Sequence, residues 1–315
     1  LPMHIHKGHG ELKMLLRDPP GDLGDGSNLL NSAKAGESDY TRYDDNICEA
    51  ALRWLESDTA RNARQPWVLM VSLVAPHFPL TVPQRFLDLY DIDSLALPKD
   101  YRFGLTGDEH PFLREYARVT GYNLHFRDAS AVRRALACYY ALVSSLDERL
   151  GRILAALRDA RISRPTRVLY LSDHGDNLGA RGLWGKSTLY EESVGIPMIL
   201  SGPGVAAGKV DDTPVGHVDV YNTVLDAVGI PADVGTASPH SCSLLRDLDP
   251  ARSVFAEYHT VGSRSGIFML RDRSTKYVHY EGLPDQLFDL AADPEERVDL
   301  VAARGGEPET AALLA

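Results

Sequence analysis

The sequence RVLYLSDHGDN, residues 167 to 177, joins a short apolar run directly to a cluster of polar side chains. Residues 167 to 172 predict a strand of the kind that is buried on both faces of a sheet. Ligands usually bind at the carboxyl ends of such strands in α/β proteins, so Asp173 and His174 are candidate metal ligands. Gly175 would allow the backbone bend that lets both side chains converge. From these residues alone, a surface loop that happens to carry Asp and His is an equally good interpretation.

The sequence around this stretch alternates between strand-like and helix-like patterns. Residues 68 to 74 are an apolar run too short to cross a membrane, and they predict a buried strand. Residues 130 to 160 repeat apolar side chains at helical spacing and predict one long amphipathic helix. Strand, helix and strand in this order indicate an α/β sheet. Further predicted elements are a helix capped by Asp44, a buried strand at 195 to 200 and a helix at 219 to 228 that Gly229 ends.

The pattern changes after Leu248 to short strand-like pieces separated by turns, SVFAEYHT, GIFMLRD and TKYVHYE. Such pieces predict an antiparallel sheet. We therefore predict an α/β core at 1 to 248 and a small C-terminal α+β subdomain with an antiparallel sheet at 249 to 315.

The composition excludes some classes of function. A formal charge of −11 argues against binding to nucleic acid or to an anionic membrane, because those partners require a basic face. No transmembrane segment is predicted. Cys48, Cys138 and Cys242 lie far apart without CxxC spacing, so neither a disulfide framework nor a thiolate zinc site is expected, and a reducing compartment such as the cytoplasm is slightly favoured. Because the sequence begins at Leu1 without an initiator Met or a signal peptide, we expect the natural N-terminus upstream.

A second polar candidate follows the apolar run at 68 to 74. In Ala75-Pro76-His77-Phe78-Pro79, prolines on both sides stiffen the backbone around His77. An imidazole fixed at the end of a strand can hold or donate a proton. A purely structural histidine is the commoner outcome for such a turn.

The ordered stretches resemble the sulfatase family of the alkaline phosphatase superfamily, and in particular its branch of choline sulfatases and phosphonate monoester hydrolases. The resemblance rests on SDHGDNLGARGLWGKSTLYEESVGIPMILSGPG, on the PHFP turn, on CYYALVSSLDERLGRILAAL and on QLFDLAADPEERVDL. It implies an alkaline phosphatase-like core with a large, mixed, mainly parallel sheet flanked by helices, of which the N-terminal strands are missing here. It also implies that Asp173 and His174 bind a divalent cation, that Lys186 contacts the sulfate, and that His77 contacts the sulfate and protonates the leaving alcohol.

The resemblance further implies a nucleophile that this sequence does not provide. The family uses a formylglycine made from the Cys or Ser of a C/S-x-P-x-R motif, and none of the three cysteines has that context. Ser163 does begin an S-x-P-x-R match, but ten extended residues would put it roughly 20 to 30 Å from the metal. We therefore predict that this match is a turn leading into the strand, and that Asp176 or Asn177 supplies a further oxygen or supports a ligand.

Several alternatives stay open from the sequence. A phosphonate monoesterase or phosphodiesterase on the same fold would need a similar oxygen cage, and a non-catalytic binding protein could keep the fold without turnover. The cation is expected to be Ca²⁺, with Mn²⁺ or Mg²⁺ as alternatives, since an imidazole ligand also suits manganese. The expected partner is a small-molecule or saccharide sulfate ester. A homo-oligomer is compatible with the sequence.

Overall fold

Helices and short strands alternate along the chain and give it an α/β character. The computed structural model describes residues 26–104, 106–160, 162, 165–231, 240–259 and 263–303. The described helices are α1 Ser27–Asn31, α2 Asp39–Leu55, α3 Asp58–Arg61, α4 Gln84–Leu87, α5 Pro111–Thr120, α6 Ala129–Asp159, α7 Glu191–Val194, α8 Val218–Val228 and α9 Leu300–Ala303. The described strands are β1 Lys34–Ala35, β2 Thr81–Val82, β3 Val168–Leu171, β4 Met198–Ser201, β5 Val254–Tyr258, β6 Ile267–Arg271, β7 Thr275–Tyr280 and β8 Gln286–Asp289.

The long helix α6 confirms the prediction made from its apolar spacing. Asp128 caps its first turn by accepting a hydrogen bond from the Ala131 amide at 2.8 Å. Its apolar stripe is buried in a core cluster that also contains Phe126 and Trp184, whose rings stack with centroids 4.0 Å apart. The helix therefore packs against Phe126, which precedes it, and against Trp184 in the loop after β3.

Helix α2 begins five residues earlier than the predicted cap at Asp44. Ser38 and Thr41 form a reciprocal capping box, in which each side chain accepts a hydrogen bond from the other residue's amide. Because this box already satisfies the first amides, the prediction that Asp44 is the cap is wrong. Asp44 lies inside the helix and is buried.

The strand predictions of the core are corrected in part. Residues 68 to 74 are not assigned to a strand, and the side chains of Val68 and Met70 are 60% and 86% exposed, so this run is not buried. Exposure alternates along it, as in an extended chain with one covered face, but no described strand pairs with it.

The strand β3 pairs with β4 in antiparallel register, and the exposed Ile199 shows that the pair is not covered on both faces. Parallel pairing is found between β1 and β2. The large, mainly parallel sheet therefore stays a prediction.

The antiparallel sheet predicted for the C-terminal part is present. Its strands are ordered β5-β6-β7-β8, with every neighbouring pair antiparallel. Its buried face shares a hydrophobic cluster with α5, to which Phe112, Ile267 and Phe288 contribute. His110 joins the two parts as well, because its Nδ1 accepts from the Phe112 amide and its Nε2 donates to the Pro284 carbonyl. The division at residue 249 stays a prediction.

Two other predictions concern Ser163 and the absence of a transmembrane segment. Ser163 lies outside the described residues, so the predicted turn there has no structural counterpart to compare. None of the described helices combines the length and the apolar character that crossing a bilayer requires.

Candidate active site

The polar residues after β3 form a tight bend in which the backbone and side chains hold one another. The Asp173 Oδ1 accepts a hydrogen bond from the His174 amide at 3.0 Å, and the Ser172 hydroxyl donates to the His174 carbonyl at 2.8 Å. The other Asp173 oxygen, Oδ2, lies 3.5 Å from His174 Nε2. The bend therefore turns two neighbouring residues toward the same side, with the Asp173 side chain 84% exposed.

The imidazole of His174 is held in one tautomer. Its Nδ1 lies 2.8 Å from the Gly175 carbonyl oxygen, which can only accept, so Nδ1 carries the proton. Its Nε2 therefore has no proton and can accept a hydrogen bond. The Lys186 ammonium donates to it at 2.6 Å. A neutral imidazole fixed by a carbonyl on one nitrogen is the form that binds metal ions through the other.

His77 joins this group from a different part of the chain. Its ring centroid lies 6.2 Å from that of His174, and its ring stacks on Phe78 with centroids 4.7 Å apart. Its Nδ1 donates to the Phe78 carbonyl at 2.6 Å, which leaves Nε2 available. The structure thus brings together all four residues that the sequence nominated, His77, Asp173, His174 and Lys186.

The pKa values of the two nitrogen bases His77 and Lys186 are both lowered in this group. Burial lowers the pKa of His77, and the positive charge of Lys186 lowers it further, while the hydrogen bond to the Phe78 carbonyl and the charge of Asp173 oppose these effects. The pKa of Lys186 is lowered because the surrounding protein removes part of its hydration, and Asp173 and Asp176 oppose that change. A bound anion would oppose both shifts, because a negative charge beside each base favours its protonated form.

The loop that carries Lys186 is braced by Asp176 and Asn177. The Asp176 Oδ1 accepts hydrogen bonds from the amides of Leu178 and Gly185, at 2.8 and 3.1 Å. The buried Asn177 donates to the Gly185 carbonyl at 2.7 Å. Burial raises the pKa of Asp176, with these two amides opposing the shift. Both side chains thus fix the backbone immediately before Lys186.

Gly175 is required by space rather than by backbone conformation. Its φ does not lie in the left-handed region, but a Cβ placed on it would lie 2.0 Å from the Glu192 carbonyl oxygen. Its amide also donates to the Ser193 carbonyl at 2.8 Å. The bend after β3 therefore packs directly on the start of α7.

A buried ion network connects the C-terminal sheet to the same loop. The fully buried Lys276 of β7 lies 2.7 Å from a Glu191 oxygen and 2.6 Å from a Glu296 oxygen, and it donates to the Leu189 carbonyl at 3.0 Å. Burial opposes ionisation of Glu191, yet Lys276 and Arg271 hold its pKa below its ordinary value. Burial raises the pKa of Glu296, while Lys276 opposes that shift. The sheet thus fixes the backbone that follows Lys186.

The residues present fit one side of a cation site. Asp173 Oδ2 and His174 Nε2 are 3.5 Å apart, a separation that two neighbouring ligands of one divalent ion adopt, and the tautomer of His174 is the correct one. Among the described residues, no group of three or more His, Cys, Asp or Glu side chains surrounds such a point. Asp173 and His174 would therefore supply part of a ligand set.

Two residues near the group were not assigned to it from the sequence. His217, which precedes α8, places its Nε2 2.8 Å from the Ser172 carbonyl oxygen, next to Asp173. Its signal was a histidine two residues before the helix predicted at 219 to 228. Asp44 accepts hydrogen bonds from the amides of Val74 and Ala75, just before His77. No local pattern reveals that contact, because its partners lie about thirty residues away in sequence.

The chain is similar to known proteins over most of its length. The family model described as "Sulfatase" matches residues 17–230, and the model described as "N-sulphoglucosamine sulphohydrolase, C-terminal" matches residues 179–313. A choline-sulfatase of Rhizobium meliloti is 32% identical over 297 residues, which are 91% of this chain and 58% of that protein. Arylsulfatase K of Danio rerio is 34% identical over 274 residues, 79% of this chain and 51% of that protein.

A solved structure is similar as well. The phosphonate monoester hydrolase of Silicibacter pomeroyi superposes with a TM-score of 0.67 at 27% identity, and the match covers 88% of this chain and 57% of that one. The chain therefore spans between half and three fifths of the length of these relatives.

Proposed function

Because the chain belongs to the sulfatase family of the alkaline phosphatase superfamily, a family of hydrolases, we propose that it forms the part of a sulfuric ester hydrolase that holds the sulfate and protonates the departing alcohol. The observation that carries this proposal is the meeting of His77, His174 and Lys186, which come from two separate loops. The Lys186 ammonium and a protonated His77 can both donate hydrogen bonds to one tetrahedral anion.

Lys186 binds a nonbridging sulfate oxygen in this proposal. Its ammonium already donates to His174 Nε2 and lies at the open edge of the site, so an anion can take the place of that acceptor. The negative charge of the anion opposes the burial that lowers the pKa of Lys186.

His77 holds the proton that the leaving alcohol needs. Its Nδ1 is committed to the Phe78 carbonyl, so the proton for transfer sits on Nε2. The negative charge of a bound sulfate offsets the burial that lowers the pKa of His77, and it therefore favours the protonated form when substrate is present.

Asp173 and His174 would hold a divalent cation through Oδ2 and Nε2, together with ligands from elsewhere in the natural protein. When bound, the cation would polarise the sulfate group and help to orient it. We further propose that the nucleophile is a formylglycine on a segment outside this sequence, in keeping with the share of its relatives that the chain spans. The cation is proposed to be Ca²⁺.

The proposed substrate is a small-molecule or saccharide sulfate ester. The likeness to a choline-sulfatase supports a small alcohol, and the match to an N-sulphoglucosamine sulphohydrolase model supports a saccharide. A phosphonate monoester is the second candidate, favoured by the likeness to the Silicibacter pomeroyi hydrolase.

Steady-state rates on matched esters test this proposal. We expect the protein at its natural full length to give a higher kcat/KM on 4-nitrophenyl sulfate than on 4-nitrophenyl phenylphosphonate. The rates on choline sulfate and on glucosamine 6-O-sulfate would then show which alcohol is preferred. A preference for the phosphonate would replace the sulfatase proposal with the second candidate. Rates equal to buffer on every ester would favour a non-catalytic protein.

A further inference from the structure

Asp44 is a buried acid in the interior of a helix, which is an unfavourable place for it. The residue is 1% exposed and lies on α2. Aspartate is unfavourable in the interior of a helix, because its side chain competes for backbone hydrogen bonds. A buried carboxylate is stable only where strong donors satisfy it. The partners of Asp44 therefore indicate what it does.

Both carboxylate oxygens of Asp44 hold the backbone that leads into the His77 turn. The Val74 amide donates to Oδ1 at 2.7 Å, and the Ala75 amide donates to Oδ2 at 2.9 Å. The Val74 carbonyl then accepts from the His77 amide at 3.0 Å. One unbroken series of hydrogen bonds thus runs from α2 to the backbone of His77.

Helix α2 is itself fixed in the core, so the carboxylate does not move with the turn. The buried Arg149 of α6 pairs with Asp45 at 2.7 Å and reaches the Thr41 carbonyl at 3.4 Å. The Cys48 thiol also contacts the Arg149 carbonyl, at 3.9 Å. The Asp44 carboxylate is therefore a rigid reference point for the segment beside it.

We infer that Asp44 is a positioning residue for His77, which clamps two backbone amides so that the imidazole stays in reach of the leaving oxygen. This inference rests on the proposed function, in which His77 is the proton donor. Its consequence is specific: loss of the clamp should slow reactions that need a proton on the leaving group and spare those that do not. A displacement of about 1 Å at such a donor costs on the order of 10²-fold in rate.

The test compares two sulfate esters in the full-length protein. An alkyl sulfate such as choline sulfate releases a basic alcohol and needs the proton, whereas 4-nitrophenyl sulfate releases a stable phenolate. We expect Asp44→Asn to lower kcat/KM on choline sulfate by at least about 10-fold more than on 4-nitrophenyl sulfate, since lost acid catalysis costs about 10²- to 10⁴-fold. Asp44→Glu, which keeps the charge but lengthens the side chain, should show the same selectivity and covers the case in which Asp44→Asn fails to fold.

Asp45→Asn is the matched control, since it alters the neighbouring carboxylate that pairs with Arg149 instead. It should change thermal stability and affect both esters by the same factor. If the Asp44 variants that fold also affect both esters equally, the inference is overturned, and Asp44 is only structural.

His77→Ala separates this outcome from a failure of the proposed function. A selective loss on choline sulfate in His77→Ala alone would overturn the role of Asp44 and leave the proposed function intact. Equal losses on both esters in His77→Ala would overturn the role of His77 as proton donor, and the inference with it.

Discussion

Gly175→Ala should lower the activity of the protein by displacing the bend that carries Asp173 and His174. The added Cβ would lie 2.0 Å from the Glu192 carbonyl oxygen, and real Cβ atoms essentially never approach closer than 3.0 Å, so the two segments must separate by about 1 Å. A displacement of that size costs on the order of 10²-fold in rate, or about 2.7 kcal/mol of transition-state stabilisation. The overpacking itself should cost about 1 to 3 kcal/mol of folding stability.

The assay is kcat/KM on 4-nitrophenyl sulfate, normalised to the folded fraction from near-ultraviolet circular dichroism. Gly151→Ala is the control, because Gly151 lies inside α6 with nothing within 4 Å of an added Cβ. That variant should keep full activity and gain roughly 0.5 to 1 kcal/mol of stability, the usual effect of replacing a helical glycine by alanine. Equal kcat/KM values for the two variants would show that the contact of Gly175 with Glu192 does not position the bend.

Three further predictions concern charged and titratable groups. Lys186→Met should lower kcat/KM on sulfate esters by about 10²-fold or more. Lys186→Arg should retain part of the wild-type kcat/KM, and full activity in Lys186→Met would exclude the sulfate contact. Lys276→Met should cost about 3 to 5 kcal/mol of stability in thermal unfolding, because it leaves the buried Glu296 carboxylate without its cation, and adding Glu296→Gln should recover part of that loss. Burial lowers the pKa of His110, so its contribution to stability is present above pH 6.5 and is lost as the pH falls through the folded-state pKa. The drop in Tm between pH 7 and pH 5 should therefore be smaller in His110→Asn than in the wild type, and parallel drops would contradict this.

Helices were predictable from the sequence where their signals are local. The apolar spacing of α6 and the glycine after α8 each lie within the element that they define. Gly229 adopts a φ of 79°, which ends the helix as its position predicted. The strands were less predictable, because the burial of an apolar run depends on which segment lies beside it. The run at 68 to 74 shows this, with one face of its side chains exposed.

The four residues nominated from the sequence lie near one another, but their contacts could not be predicted. A strand end and a proline-flanked histidine nominated Asp173 and His77, yet the hydrogen bond between Lys186 and His174 depends on a loop closure that no residue pattern encodes. Asp44 was assigned to a helix cap because its sequence neighbours fit one. Its true partners are brought to it by the packing of distant segments, which only the folded chain reveals.

We propose that His77, Asp173, His174 and Lys186 serve one sulfate ester. The most direct measurement is a crystal structure of the full-length protein grown with Ca²⁺ and sulfate. We expect the cation within about 2.6 Å of Asp173 and His174, and a sulfate within hydrogen-bond reach of both Lys186 Nζ and His77 Nε2. A sulfate that contacts neither base, or a cation bound away from both ligands, would contradict the account.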